Sequence, residues 1–175
     1  MGAPKKPKPG KLFCGVIASD VSLLPSVEIE LERALGRIET KSPLLPFAQT
    51  DYYAPEMGKN LSRIFYSFKE LLDKESVAHL KLKSNEIERV FALPDGARRV
   101  NIDPGYVTQA KVVLLTTKNF SHRIYVGEGI FAEITMSFAH GKWIFYPYTY
   151  PDYRQKCYFD FFDEVRIHLL EQLRP

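Results

Sequence analysis

Leu12-Phe13-Cys14-Gly15-Val16-Ile17-Ala18 is an unbroken apolar run of strand length, and Ser19, Asp20 and Pro25 punctuate its end. Val27 to Leu35 follows at helical spacing, and Gly36 closes that helix. The chain is expected to extend again through Ile38 to Phe47 and Ser62 to Phe68, around a polar insertion from Asp51 to Gly58. Val77, Leu80, Ser84, Ile87 and Phe91 then mark one face of a second helix, with Asp73 or Ser76 available as caps and Pro94-Asp95-Gly96 as its stop.

The second half is expected to repeat this order. Arg98 to Asp103 reads as a strand, and Asp103-Pro104-Gly105 as a type II turn, because proline presets φ and glycine supplies the positive φ that follows. Thr108 would then cap a helix reaching Thr117, whose first N–H groups could face an anion. His122 to Ser137 reads as a strand bulged at Gly127-Glu128-Gly129, and Lys142 to Tyr150 as another. Tyr158, Phe161, Phe162, Val165 and Leu169 define a long terminal helix. The pattern is βαββα twice. It predicts an α+β domain over residues 12–175, built from split-βαβ, ferredoxin-like half-repeats (12–94 and 95–175), with a mixed or antiparallel sheet and helices packed on one face.

A 175-residue chain that is 45% hydrophobic and 13% aromatic can bury a sizeable core. Apolar runs such as Val112 to Leu115 are far short of the roughly 18 residues that span a bilayer. The net charge of +3 is misleading, since four lysines lie in residues 1–11, a flexible basic leader without the apolar segment of a secretory signal. The remainder is nearly balanced, so a nucleic-acid partner is the lesser expectation and the cytoplasm the default location. Cys14 and Cys157 lack metal or redox spacing and read as reduced packing cysteines.

Reactive side chains gather in four segments: 51–58, 101–106, 116–125 and 150–154. The third brings together Lys118, His122 and Arg123, a point charge, a proton shuttle and a bidentate fork suited to an anion, although a solvated basic loop would look the same. Glu133 lies on an alternating strand and, if covered, needs Arg123, Lys111 or a metal ion as partner. Asp51, Glu56, Asp103, Glu133 and Asp152 would suit magnesium if they converged. Tyr146, Tyr148 and Tyr150 fall on one side of an extended segment, where they either stack on bases or pack under the terminal helix. Phosphate-binding G-x-x-x-x-G-K-[ST] and G-x-G-x-x-G motifs do not occur, nor do G-x-S-x-G, H-E-x-x-H or paired H-x-[ST] motifs. Of the four histidines, His79 and His168 fall on helices and His140 in a hairpin turn, which leaves His122 for chemistry.

Four long motifs carry a family resemblance: Asp51-Tyr52-Tyr53-x-x-Glu56-Met57-Gly58, Val100 to Val107, Thr116 to Tyr125 continuing to Gly127-x-Gly129-Ile130, and Tyr148-Thr149-Tyr150-Pro151-Asp152-Tyr153-Arg154. The chain resembles, over nearly its whole length, the prokaryotic family known as domain of unknown function 4416, some members of which bear the label GTP-binding protein. That resemblance implies a bacterial or archaeal protein with nucleotide binding as one reading, and it transfers no catalytic residues. Combined with the residues themselves, the expectation is a protein that binds a nucleotide or other phosphorylated ligand, with magnesium as a possible cofactor. Lys118, His122, Arg123 and Asn101 would meet the ligand, with Tyr53 or Tyr106 stacking on a ring. Asp103, Glu56 and Glu133 would hold the metal, and His122, Asp103 and Glu133 are the candidates for acid–base work. The alternative is a non-catalytic RNA-binding or protein-assembly module that uses the aromatic edge. Asp103 discriminates: it lies close to His122, Arg123 or Glu133, or it is only a turn.

Overall fold

A computed structural model describes residues 2–75 and 77–174, so the expected cap at Ser76 lies outside the described residues. In chain order the elements are β1 (Gly10–Ala18), α1 (Leu24–Leu35), β2 (Ile38–Lys41), β3 (Leu45–Phe47), α2 (Ala54–Met57), β4 (Leu61–Leu72), α3 (Ala78–Val90), β5 (Val100–Val107), β6 (Lys111–Thr116), β7 (Ile124–Gly127), β8 (Ile130–Ala139), β9 (Lys142–Phe145) and α4 (Lys156–Gln172). All strands join one nine-stranded sheet of order β2-β4-β1-β5-β6-β8-β7, with β3 also on β4 and β9 on β8. Every pairing is antiparallel. The α+β class holds, but the order is not two βαββα units, because β5 runs to β6 through a tight turn with no helix between them.

Helices cover both faces of the sheet rather than one. Every residue of β1 is buried, so a strand apolar on both sides needs two covers. Leu12, Cys14 and Val16 of β1 and Ile64, Tyr66 and Phe68 of β4 pack with Val27 and Leu31 of α1 and Leu80 and Ile87 of α3. The alternate residues Phe13 and Phe65 turn to the other face, where they meet Tyr158, Phe161, Phe162 and Val165 of α4. Phe13 and Phe162 stand edge to face with centroids 5.1 Å apart, and Phe65 meets Tyr158 likewise at 4.7 Å. Among the described residues no helix is long and apolar enough to cross a membrane.

Two expected elements are corrected around residue 104. Asp103-Pro104-Gly105 lies inside β5, paired in register with Gly15, Cys14 and Phe13 of β1, and is no turn. The segment 108–117 is mainly strand, not helix. Val112, Val113, Leu114 and Leu115 are all buried, and a run buried on both faces carries no alternation to separate strand from helix. Thr108 organises the hairpin instead of a helix cap: its N–H donates to the Lys111 carbonyl at 2.8 Å, and its Oγ1 accepts from Lys111 N at 3.1 Å.

β5 pairs with β1 along its entire length but with β6 only through Gly105, Tyr106 and Val107. Beyond Gly105 the two strands part. At the edge of β5 that β6 leaves, Ile102 N–H donates to Glu88 Oε1 at 2.7 Å, and Ile102 C=O accepts from Lys81 Nζ at 2.6 Å. Two side chains of α3 thus complete the ladder that β6 abandons. Backbone groups alternate along a strand, so Pro104 turns its nitrogen to the same side as Ile102, where it has no hydrogen to offer and β6 has left. Gly105 sits at the last close approach, where a Cβ would overlap the Val113 carbonyl and the Phe13 ring.

Elsewhere the boundaries shift. The strand expected over 122–137 is a hairpin, β7 and β8, turning at Glu128 (φ 54°) and Gly129 (φ 76°), and its register shifts between Tyr125 and Gly127, beside the segment expected to bulge. β9 ends at Phe145, five residues before the expected end at Tyr150. Lys11 is not part of a solvated leader. It is wholly buried, with Nζ 2.7 Å from Glu39 Oε2, 3.0 Å from the Lys69 carbonyl and 2.6 Å from Gln172 Oε1.

Candidate functional site

Where β5 and β6 part, a cleft of about 990 Å³ opens. Asn101 and Asp103 of β5 line it from the sheet, and Lys81, Asn85, Glu88 and Arg89 of α3 from one side. Thr116, Thr117, Lys118, Phe120, His122 and Arg123, between β6 and β7, line it from the other. Arg63 of β4 and Asp152, just before α4, stand beside the insertion residues Tyr52 and Tyr53.

The α3 side is a chain of paired groups. Lys81 Nζ lies 3.4 Å from Glu88 Oε1 and 3.5 Å from Asp103 Oδ1. Asn101 Nδ2 donates to Asp103 Oδ2 at 2.8 Å, while Asn101 Oδ1 accepts from Arg98 at 2.7 Å. Arg98 also clasps Glu56 with a two-pronged contact at 2.9 and 2.6 Å, so α2 and the insertion are tied to the sheet by a charged clamp. That clamp holds the Glu56 carboxyl below the usual range. Glu88 moves the other way: burial raises it, against the pull of Lys81 and the Ile102 N–H.

On the opposite side, Glu133 of β8 has no exposed side-chain surface. Arg123 Nε donates to its Oε2 at 2.7 Å, and His122 Nε2 lies 3.1 Å from the same oxygen. Arg123 spends its other nitrogens on the Lys118 carbonyl at 3.0 Å and on Tyr150 Oη at 3.0 Å. The His122 ring lies parallel to Tyr148 at 4.2 Å and to Phe120 at 6.1 Å, and Tyr148 is parallel to Tyr146 at 5.3 Å. Four rings form a ladder along the rim. Lys118 Nζ sits 3.7 Å from the centre of the Tyr52 ring, which gives the insertion a second attachment.

Between these sides, Arg63 NH1 meets Asp152 Oδ2 at 2.7 Å with both side chains almost fully buried. Gly15 makes room for it, since a Cβ there would come within 2.7 Å of Arg63 NH2 and of the Phe65 ring. Tyr53 and Tyr150 are both raised by burial, with Asp103 adding to the shift in each.

Tyr53, Asn101, Asp103, Lys118, His122 and Arg123 therefore line one cleft. Glu133 stands behind Arg123, and Glu56 reaches the wall through Arg98. Tyr106 does not line it; that side chain packs against the core beneath α1 and α3. Asp103 is neither a turn residue nor a partner of His122, Arg123 or Glu133, and its contacts are Asn101 and Lys81. The carboxylates proposed for a metal are held apart by separate cations, and among the described residues no group of three His, Cys, Asp or Glu side chains could hold a metal ion. His168 Nδ1 lies 3.3 Å from Glu39 Oε2, outside the cleft lining.

Sequence reasoning missed Arg63, Lys81, Asn85, Glu88 and Arg98. A signal existed for two of them. Lys81, Ser84 and Glu88 recur within the buried stripe of α3, where polar residues require partners from another element.

Residues 8–168 match the family described as Domain of unknown function (DUF4416). Comparison with curated proteins and with solved structures gave no match. Since the matched region takes in every strand whole and nearly all of the cleft's supporting elements, from β1 into α4, the chain belongs to the DUF4416 family, an uncharacterised domain family.

Proposed function

We propose that the cleft binds a nucleotide or another phosphorylated ligand that carries a flat ring. What carries this reading is the charge that lines the two sides of the cleft. Arg63, Lys81, Arg89, Arg98, Lys118 and Arg123 face Glu88, Asp103 and Asp152, while the further counter-charges Glu56 and Glu133 stand behind the wall. Among the described residues neither Lys118 nor Arg89 has a carboxylate within ion-pair distance, so both are free to meet an anion. Tyr52 and Tyr53 supply aromatic surface beside them.

The test is a thermal-shift series with adenine and guanine nucleotides and sugar phosphates, each with and without magnesium. A ligand at about 100 times its Kd stabilises the folded chain by about 2.7 kcal/mol, a clear rise in Tm. Lys118→Ala is expected to weaken that rise. An undiminished shift in a protein carrying both His122→Ala and Arg123→Ala overturns the site.

One observation favours a second reading, RNA binding without catalysis: the ladder of parallel rings ends at Phe120, which is 54% exposed. Competition between a single-stranded RNA oligomer and the best nucleotide separates the two.

A further inference from the structure

We infer that His122 and Glu133 form a proton-transfer pair that hydrolyses a phosphate ester of the bound ligand, with His122 as the catalytic base and Glu133 as its positioning residue. This rests on the binding reading above. Glu133 holds the guanidinium of Arg123 at 2.7 Å, and a carboxylate in such a pair can only accept hydrogen bonds. The contact at 3.1 Å from His122 must then be an Nε2–H donating to Oε2, so the neutral ring carries its lone pair on Nδ1.

Nδ1 is available. Among the described residues it has no hydrogen-bond partner, it is not among the buried unpartnered atoms, and His122 lines the cleft. Tyr148, parallel to the ring at 4.2 Å, fixes the plane in which that lone pair lies. Oriented carboxylate, fixed tautomer and open nitrogen are the requirements of a general base. No serine, threonine or cysteine of the described residues hydrogen-bonds to Nδ1, which makes water the nucleophile.

The electrophile is placed by the same cluster. Arg123 uses one hydrogen on each of its three nitrogens for Glu133, Lys118 O and Tyr150 Oη, which leaves two of its five N–H groups. Those, with the ammonium of Lys118, face the charge that grows on a phosphoryl group under attack. In the step itself the water oxygen bonds to phosphorus and its proton passes to Nδ1. The phosphorus–oxygen bond to the leaving alcohol breaks on the far side of phosphorus, that oxygen takes a proton from solvent, and Nδ1 returns its own proton to solvent. Ester and water become alcohol and inorganic phosphate, with no other reactant.

The experiment incubates the full chain with p-nitrophenyl phosphate and with the 5′-monophosphates of adenosine and guanosine between pH 5 and 9, measuring nitrophenol or phosphate release beside the thermal shift of each probe. Turnover above the buffer blank is expected. His122→Ala should lower kcat by roughly 10²- to 10⁴-fold while the probe still raises Tm. His122→Asn serves the same purpose if the alanine variant does not fold. Glu133→Gln should lower kcat with little change in KM and displace the acidic limb of the kcat–pH profile, which a purely structural glutamate would not do. A probe that raises Tm without being hydrolysed overturns the catalytic inference alone. Absence of both shift and release overturns the binding reading with it, and wild-type turnover in His122→Asn removes His122 from the mechanism.

Discussion

The sheet face beneath α4 has two ends built on opposite principles. At one end Phe13 and Phe65 of the sheet meet Phe161 and Phe162 of α4 in a buried aromatic layer. At the other, Arg63, Asp152, Arg123 and Glu133 are nearly as deeply buried and are held by ion pairs. Aromatic packing needs no exact partner atom, so the first end contributes stability in proportion to buried area. Buried charges tolerate only one arrangement, and their mutual attraction is largely offset by lost hydration. The second end therefore fixes side chains in place more than it stabilises the fold.

Removing a ring from the aromatic end should have the largest effect on stability. Phe162→Ala is expected to cost about 3–5 kcal/mol by urea unfolding, with ligand affinity unchanged in the folded fraction. A loss below about 1 kcal/mol would show that this end is not the anchor of the face.

Breaking a charged pair comes next. Glu133→Ala leaves Arg123 buried without its partner and should cost on the order of 3 kcal/mol. The combination Glu133→Leu with Arg123→Met should recover most of that stability and yet lose ligand binding. A double variant as unstable as the single one would show that the pair is a genuine source of stability, and the contrast between the two ends would disappear.

The smallest effect belongs to the exposed clamp. The folded state favours ionised Glu56, so its contribution is present at neutral pH and fades as pH falls below the ordinary glutamate range through its lowered pKa. Glu56→Gln should therefore lower stability by less than about 1 kcal/mol at pH 7, discounted for solvent screening of a pair about one-third exposed. The difference from wild type should shrink in acid, which melting curves at pH 7 and pH 3 will check.

The two ends also differ in how well they can be read from the chain. Tyr158, Phe161, Phe162 and Val165 repeat at helical spacing, so the aromatic end announces α4, and the run from Leu12 to Ala18 announces β1. Lys118, His122 and Arg123 lie within six residues and can be grouped by eye, and the need of Glu133 for a partner leaves Arg123, Lys111 or a metal ion, of which the fold supplies Arg123. Arg63, Asn101 and Lys81 come from three elements that only the strand order brings together. Pro104-Gly105 misled because local turn chemistry is the same whether a chain reverses or two strands separate. What distinguishes the cases is the Ile102 peptide, served by Lys81 and Glu88 from α3, and that is long-range information.

Lys11 has a consequence for the order in which the molecule is made. Its ammonium is satisfied by Glu39, by the Lys69 carbonyl and by Gln172, which lies 161 residues away. The strand it belongs to precedes both of its neighbours in the chain, since β4 begins at residue 61 and β5 at residue 100. A growing chain therefore carries an apolar strand with one edge open until β4 is complete at residue 72 and the other until β5 is complete at residue 107, and a lysine that waits for a partner 161 residues away. Non-local pairing of this kind forms slowly, which leaves β1 as an apolar segment open to aggregation while the chain grows.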